Sequence, residues 1–318
     1  MRYINTLKEG DSVKEIYLCK QKSNAITKNG KPYDNLILAD KTGTINGKVW
    51  DVNSMGINNY EELDYIEVVG DVVNFNGGLQ FNIKGIRVAD ASEYSESEYV
   101  PTSKHDIDVM YDNIIKMINE VANPYLNKLL VSFFVEDEEF IKSFKKHSAA
   151  KTIHHGFVGG LVEHTVSVAW IAKKFAELHK YLSKDLLVTA ALLHDIGKIH
   201  ELSYFPQNDY TDKGQMIGHI VLGYEMVNEK IGKIDNFPEK LKTDIGHLIL
   251  SHHGELEYGS PKKPAIPEAI ALNLADNCDA KLETMKELIE NNEPQQGSDW
   301  YGYNRSFESN IRKSSLSE

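Results

Sequence analysis

The segment VTAALLHDIGKIH, Val188 to His200, sets an apolar run directly against a histidine and an aspartate. Val188, Ala190, Ala191, Leu192 and Leu193 have the composition of a helix interior, and Ser183 is a natural N-cap ahead of them. His194 and Asp195 are therefore expected on a largely buried helix, with Lys198 on the same side, one turn further on. An adjacent imidazole and carboxylate are costly to desolvate unless something compensates them, and a divalent metal does so. A single His-Asp pair reads equally well as a core histidine beside a capping aspartate. The surrounding chain decides between the two.

Four further segments bring metal-competent residues onto apolar stripes. In Gly160–Lys180, His164 shares the i, i+4, i+7, i+11 stripe of Val168, Ile171 and Phe175. Ile217–Glu229 places His219 in register with Leu222 and Met226. Pro238–His253 aligns Leu241, Ile245, Leu248 and His252, with His253 adjacent. Ile266–Asn291 carries Asp276 between Leu272 and Ala280. One such residue is ordinarily a satisfied core group, but five helices repeating the coincidence argue for a metal centre. His105, His147, His179 and His247 lie off the stripes or in polar surroundings and read as surface residues.

Outward from this helical half, residues 1–92 read as β-structure. Short apolar or alternating runs span Ser12–Cys19, Tyr33–Ala39, Gly43–Trp50, Tyr65–Val73 and Leu79–Val88, separated by turn signals such as Asn76-Gly77-Gly78. Five short strands suggest a small barrel. Residues 93–104 are polar and acidic, contain Pro101, and read as a linker. Residues 105–153 read as a helical lead-in, 154–291 as the metal-binding helical domain, and 292–318 as a polar tail with aromatics.

The 318 residues leave room for two domains, and no run approaches the roughly 18 apolar residues of a membrane span. The N-terminus has no apolar signal-like region, and two cysteines, Cys19 and Cys278, fit a reducing cytosol. A net charge of −12 speaks against nucleic-acid binding by the whole surface. Residues 1–50, however, carry nine Lys/Arg against five Asp/Glu.

The order His164, His194-Asp195, His219, His252-His253, Asp276 resembles the HD-domain metal-dependent phosphohydrolases, and the extra histidines are similar to members with two metals. HHGFVGGLVEHT (154–165), ALLHDIGKI (191–199), GHIVLG (218–223), ILSHHGELEYGSPKKPAIPEA (249–269) and LADNCDA (274–280) resemble the YhaM-type 3′-to-5′ exoribonucleases. The stretch LILADKTGTINGKVWD, Leu36 to Asp51, is similar to the central hairpin of nucleic-acid-binding OB-folds. The resemblance implies an OB-fold barrel followed by an all-α HD domain. It also implies a cytoplasmic enzyme that shortens single-stranded RNA to nucleoside 5′-monophosphates, with single-stranded DNA and a homo-oligomeric state left open.

Imidazole and carboxylate ligands suit manganese, iron, zinc, cobalt or nickel, and the resemblance implies manganese, with two ions per site. Asp195 is the natural bridging ligand, because a carboxylate offers two oxygens and an imidazole one usable nitrogen. Lys198 is positioned to neutralise a phosphate oxygen, and His154 and His155 are candidate substrate contacts. In the β-rich half, Tyr17, Tyr33, Trp50, Phe75 and Phe81 are candidate stacking platforms, with Lys20, Lys22 and Lys48 beside them. Two other readings compete: an HD enzyme acting on a nucleotide or cyclic dinucleotide, and a single-strand-binding protein with a structural metal. Glu257-Tyr258-Gly259-Ser260-Pro261 stands where cyclic-dinucleotide members carry Gly-Tyr-Pro, which weakens the first. An open ligand set with a nearby lysine weakens the second.

Overall fold

Alternating burial builds the first unit. In a computed structural model, which describes residues 1–151 and 155–315, the strands are β1 (Ser12–Ile26), β2 (Pro32–Asp40), β3 (Gly43–Val49), β4 (Tyr65–Phe75) and β5 (Gly78–Val88). They close into a barrel in the order β1-β2-β3-β5-β4, β4 pairing back to β1. β3 and β5 run parallel while the other pairs are antiparallel. This is the five-stranded Greek-key barrel of the OB-fold. Gly70 marks an irregularity where β4 meets β5: a Cβ there would stand 2.1 Å from the Asn82 carbonyl oxygen, so no larger residue fits.

Inward positions of the strands supply Leu36, Leu38, Val49, Ile66, Val68 and Val72, and also Tyr17 and Phe81. Tyr17 and Phe81 meet edge to face inside the barrel, and the Tyr17 hydroxyl donates to the Arg2 carbonyl at 2.7 Å. Both rings are fully buried, which overturns the expectation that they offer faces to a base. A second apolar patch, Ile16, Leu18, Ala39 and Tyr65, is covered by Tyr94 and Tyr99 from the stretch read as linker; Tyr94 stacks on Tyr65 at 4.0 Å.

The chain divides into Met1–Thr102 with Tyr204–Asn208, and Ser103–Ser203 with Asp209–Glu318. The second unit is helical: α1 (Ile107–Glu120), α2 (Pro124–Phe134), α3 (Glu138–Lys146), α4 (Gly160–Leu178), α5 (Lys184–Leu193), α6 (Lys198–Glu201), α7 (Asp212–Met216), α8 (His219–Gly232), α9 (Glu239–Ser251) and α10 (Pro267–Asn291). Asp106, Asn123, Asp137 and Ser183 cap α1, α2, α3 and α5 by accepting from backbone N–H groups of the first turn. One core joins these helices through Ile114, Phe133, Leu161, Leu187, Leu248 and Leu272. The tail forms a short hairpin, β6 (Trp300–Asn304) and β7 (Ser309–Arg312). No helix among the described residues is long and apolar enough to cross a membrane.

One of the supposed surface histidines is not at the surface, and a second is engaged there. His147 is buried, its ring nitrogens 2.9 Å from the Ser143 carbonyl and 3.2 Å from the Leu202 carbonyl. His247 is half-buried and accepts the Ala265 N–H at 2.9 Å. His105 and His179 are exposed.

Candidate metal centre

The expected helix through the His-Asp pair is broken. α5 ends at Leu193, His194 is its C-cap, and Lys198 begins the separate α6. The turn makes a close approach at Gly197, where a Cβ would stand 2.0 Å from the His219 carbonyl oxygen and 2.5 Å from the Gly223 nitrogen. α8 therefore packs directly on the turn, and His219, its first residue, arrives beside Asp195.

The ligands expected from sequence converge. His164 Nε2 lies 3.1 Å from His194 Nε2, 3.2 Å from Asp195 Oδ2 and 3.3 Å from Asp276 Oδ1. The other oxygen of the same carboxylate, Asp195 Oδ1, lies 3.4 Å from His219 Nε2 and 3.6 Å from His252 Nε2. His253 joins His219 and His252 in a second cluster whose nitrogens can share one ion. Lys198 Nζ sits 2.7 Å from Asp195 Oδ2.

Each of the four imidazoles around Asp195 is oriented through its Nδ1. His164 faces Asp279 Oδ2 at 2.7 Å, His194 the Ala191 carbonyl at 2.8 Å, His219 Glu201 Oε1 at 2.9 Å and His252 the Ile249 carbonyl at 2.7 Å. With Nδ1 so engaged, Nε2 of every ring is left as the lone-pair donor, all four aimed at one carboxylate. Asp195 Oδ1, His219 Nε2 and His252 Nε2 are buried and have no hydrogen-bond partner among the described residues. Orphaned buried polar atoms of this kind are costly, and a cation among them satisfies all three at once. The residues present therefore fit a divalent metal with mixed nitrogen and oxygen ligands.

Electrostatics keep the carboxylates ionised. Burial alone would raise the Asp195 carboxyl, yet the Lys198 ammonium, with the His164 hydrogen bond, holds it well below the usual carboxylate range. Asp276 and Asp279 are lowered against burial in the same way, Asp276 chiefly by His164 and Asp279 by His155 and His164. Burial pushes His252 and His253 down, toward the neutral form that ligates.

Asp279 and Glu201 escape a reading that looks only for ligands. Asp279 stands one turn past Asp276, and Glu201 one turn past Lys198, and that spacing is the signal each carries in the sequence. His155 is buried behind Asp279, 3.0 Å from its Oδ2, and does not line the cavity in front of the cluster; this corrects its reading as a substrate contact. His154 lies outside the described residues. The cavity has a volume of about 520 Å³, and His164, Asp195, Lys198, His253 and Asp276 open onto it.

On the barrel, Tyr33 and Trp50 stack at 5.0 Å across β2 and the end of β3, and Lys48 Nζ lies 5.5 Å from the Tyr33 ring centre. Trp50 is 46% exposed, its indole N–H donating to Asn82 Oδ1 at 3.2 Å. Phe75 is exposed at the β4–β5 turn, and Lys20 is exposed where β1 shifts register against β2. Lys22 instead donates to the Tyr60 carbonyl at 2.6 Å and covers the Tyr60 ring, so its ammonium is already engaged.

Residues 161–281 match the HD domain family. Over 292 residues the chain is 36% identical to the 3′-5′ exoribonuclease YhaM of Bacillus subtilis (strain 168), covering 90% of each chain. The chain belongs to the YhaM family. Membership spans both units, since the match runs far beyond the HD segment. Among solved structures, the second OB-fold domain of replication protein A from Methanococcus maripaludis is 24% identical, over 27% of this chain and 92% of that one, at a TM-score of 0.23. A replication protein A heterotrimer bound to ssDNA is 19% identical, over 28% of this chain and 66% of that one, at 0.22.

Proposed function

We propose that this protein is a metal-dependent 3′-to-5′ exoribonuclease that hydrolyses single-stranded RNA to nucleoside 5′-monophosphates. The observation that carries the reading is the division of Asp195: Oδ2 turns to His164 and His194, and Oδ1 to His219 and His252. One carboxylate between two imidazole groups is the donor arrangement for two neighbouring ions, which we take to be manganese. His164, His194 and Asp276 would hold one, His219, His252 and His253 the other, with Asp195 shared. Ions held there would supply water activation and charge neutralisation for an in-line phosphoryl displacement.

The chain's own groups do the rest. Lys198 sits at the cavity wall beside Asp195, where its ammonium meets a non-bridging phosphate oxygen. Asp279 and Glu201 hold His164 and His219 in the ligating tautomer. Tyr33, Trp50 and Lys48 form an aromatic and basic patch of the kind that grips single strands without reading sequence. The likeness to YhaM supports a polymer as substrate over a free nucleotide, and RNA over DNA. The reading places the protein in the reducing cytosol.

The test is incubation of the full chain and manganese with 5′-labelled single-stranded RNA, and separately with mononucleotides. A ladder shortening from the 3′ end is expected. Turnover of mononucleotides alone, or a gel shift without cleavage, overturns the proposal.

A further inference from the structure

The cavity in front of the metal cluster offers more than phosphoryl chemistry requires. α10 turns Asn273, Asp276, Asn277 and Ala280 toward it at three- and four-residue spacing, and Lys281 follows on the same wall. Asp276 belongs to the ligand cluster, and Asn273 is held by donating to the His252 carbonyl at 2.8 Å. Asn277 and Lys281 are exposed and have no hydrogen-bond or ion-pair partner among the described residues. Across the cavity stands Tyr258, its side chain left open by a residue exposure of 65%. Its backbone is pinned: the carbonyl accepts from His253 Nδ1 at 2.9 Å, and the N–H donates to the Glu255 carbonyl at 3.1 Å.

We propose that this cavity is a strand clamp in which Tyr258 stacks on the 3′-terminal base while Lys281 and Asn277 hold the phosphodiester one step upstream of the scissile one. The inference rests on the exoribonuclease reading. The scissile phosphate belongs at the ligand cluster, so the terminal nucleoside and the upstream strand must occupy the cavity around it. An aromatic face fixed beside His253 suits the terminal nucleoside, because every base has a π-face. Lys281 lies five residues beyond Asp276, about 7.5 Å further along α10, comparable to one nucleotide step of an extended strand. An ammonium and an amide N–H are the groups that hold a phosphodiester without reading its base. The clamp is therefore indifferent to sequence, and it rewards a substrate with at least two phosphodiesters.

The experiment compares initial rates of the manganese-loaded full chain on a dinucleotide and a trinucleotide, both RNA with a 5′-hydroxyl. The dinucleotide has only the scissile phosphodiester. Lys281→Ala is expected to raise KM for the trinucleotide about tenfold, the usual loss for a hydrogen bond to a charged group. It should leave kcat, and both constants for the dinucleotide, within about twofold. The salt slope for the trinucleotide should become shallower by about 0.7, the value for one phosphate contact on a single strand. Tyr258→Ala is expected to raise KM for both substrates by about 5- to 150-fold, the range of one base stack, while Tyr258→Phe retains wild-type KM. Lys281→Ala that changes both substrates equally, or neither, overturns the phosphate subsite. Tyr258→Phe behaving like Tyr258→Ala overturns the stacking role. A wild-type protein that cleaves neither oligonucleotide defeats the exoribonuclease reading itself, which is seen before any variant is compared.

Discussion

Asp279 Oδ2 lies 2.7 Å from His164 Nδ1, on the side of the ring opposite the nitrogen that faces His194, Asp195 and Asp276. The carboxylate thus fixes the tautomer of the imidazole and raises its basicity as a ligand. Asp279→Ala should weaken manganese binding by about 10- to 100-fold, the usual effect of losing such an outer partner. Asp279→Asn keeps an acceptor for Nδ1–H and should lose less. Calorimetric titration of the metal-free protein with manganese checks both, and equal affinity in the wild type and Asp279→Ala would show that Asp279 is a bystander.

Asp195 reaches both imidazole sets, so its loss should be felt at once in both. Asp195→Asn preserves shape and removes the charge; hydrolysis should fall to background and manganese stoichiometry should drop. Asp195→Ala should also lose activity, and in addition leaves Lys198 Nζ without its 2.7 Å partner. The proper control is His179→Ala, an exposed residue, because His247 accepts a backbone hydrogen bond and is not free to change. Measurable turnover in a folded, metal-replete Asp195→Asn protein would sink the site assignment.

The apolar stripes that carry His164, His252 and Asp276 are local properties of single helices, and so they are legible in the sequence. The barrel is legible for the same reason, through two-residue alternation between turn signals. What escapes is set by contacts between distant segments. Alternation separates the two faces of β1 and β5 but does not tell which is inside, so Tyr17 and Phe81 read as platforms when they fill the core. The turn after Leu193 lies where α8 approaches Gly197, a contact between elements that periodicity cannot see. His147 has polar sequence neighbours yet is enclosed by the turn that carries Leu202.

That enclosure has a pH signature. Burial lowers the His147 pKa below its ordinary value of about 6.5, although the Ser143 and Leu202 carbonyls pull it upward. As pH falls through about 6.5, the unfolded chain takes up a proton at this site and the folded chain resists it. The unfolded state then binds more protons, so stability declines with falling pH until the folded value is reached. His147→Gln cannot titrate and should lose less stability between about pH 7 and about pH 5 than the wild type. Thermal melts across that range check the sign; parallel curves for the two proteins would show that His147 does not contribute.

The barrel makes the last prediction, which separates a ring that packs from a ring that binds. Trp50 is 46% exposed and stacks on Tyr33 beside Lys48, whereas Tyr17 is enclosed in the core. Trp50→Ala removes an exposed platform, so it should weaken binding of long single-stranded RNA by about 1–3 kcal/mol, the worth of one stacked base. Lys48→Ala should weaken binding by a smaller amount and make its salt dependence shallower, because one phosphate contact no longer releases counterions. Tyr17→Phe removes only the hydroxyl that donates to the Arg2 carbonyl, leaving that acceptor unpaired. It should cost about 1 kcal/mol of stability and leave affinity unchanged. Fluorescence anisotropy over a salt series, paired with urea melts, reads both quantities. Loss of affinity in Tyr17→Phe together with wild-type affinity in Trp50→Ala would reverse the assignment and place the grip on another face of the barrel.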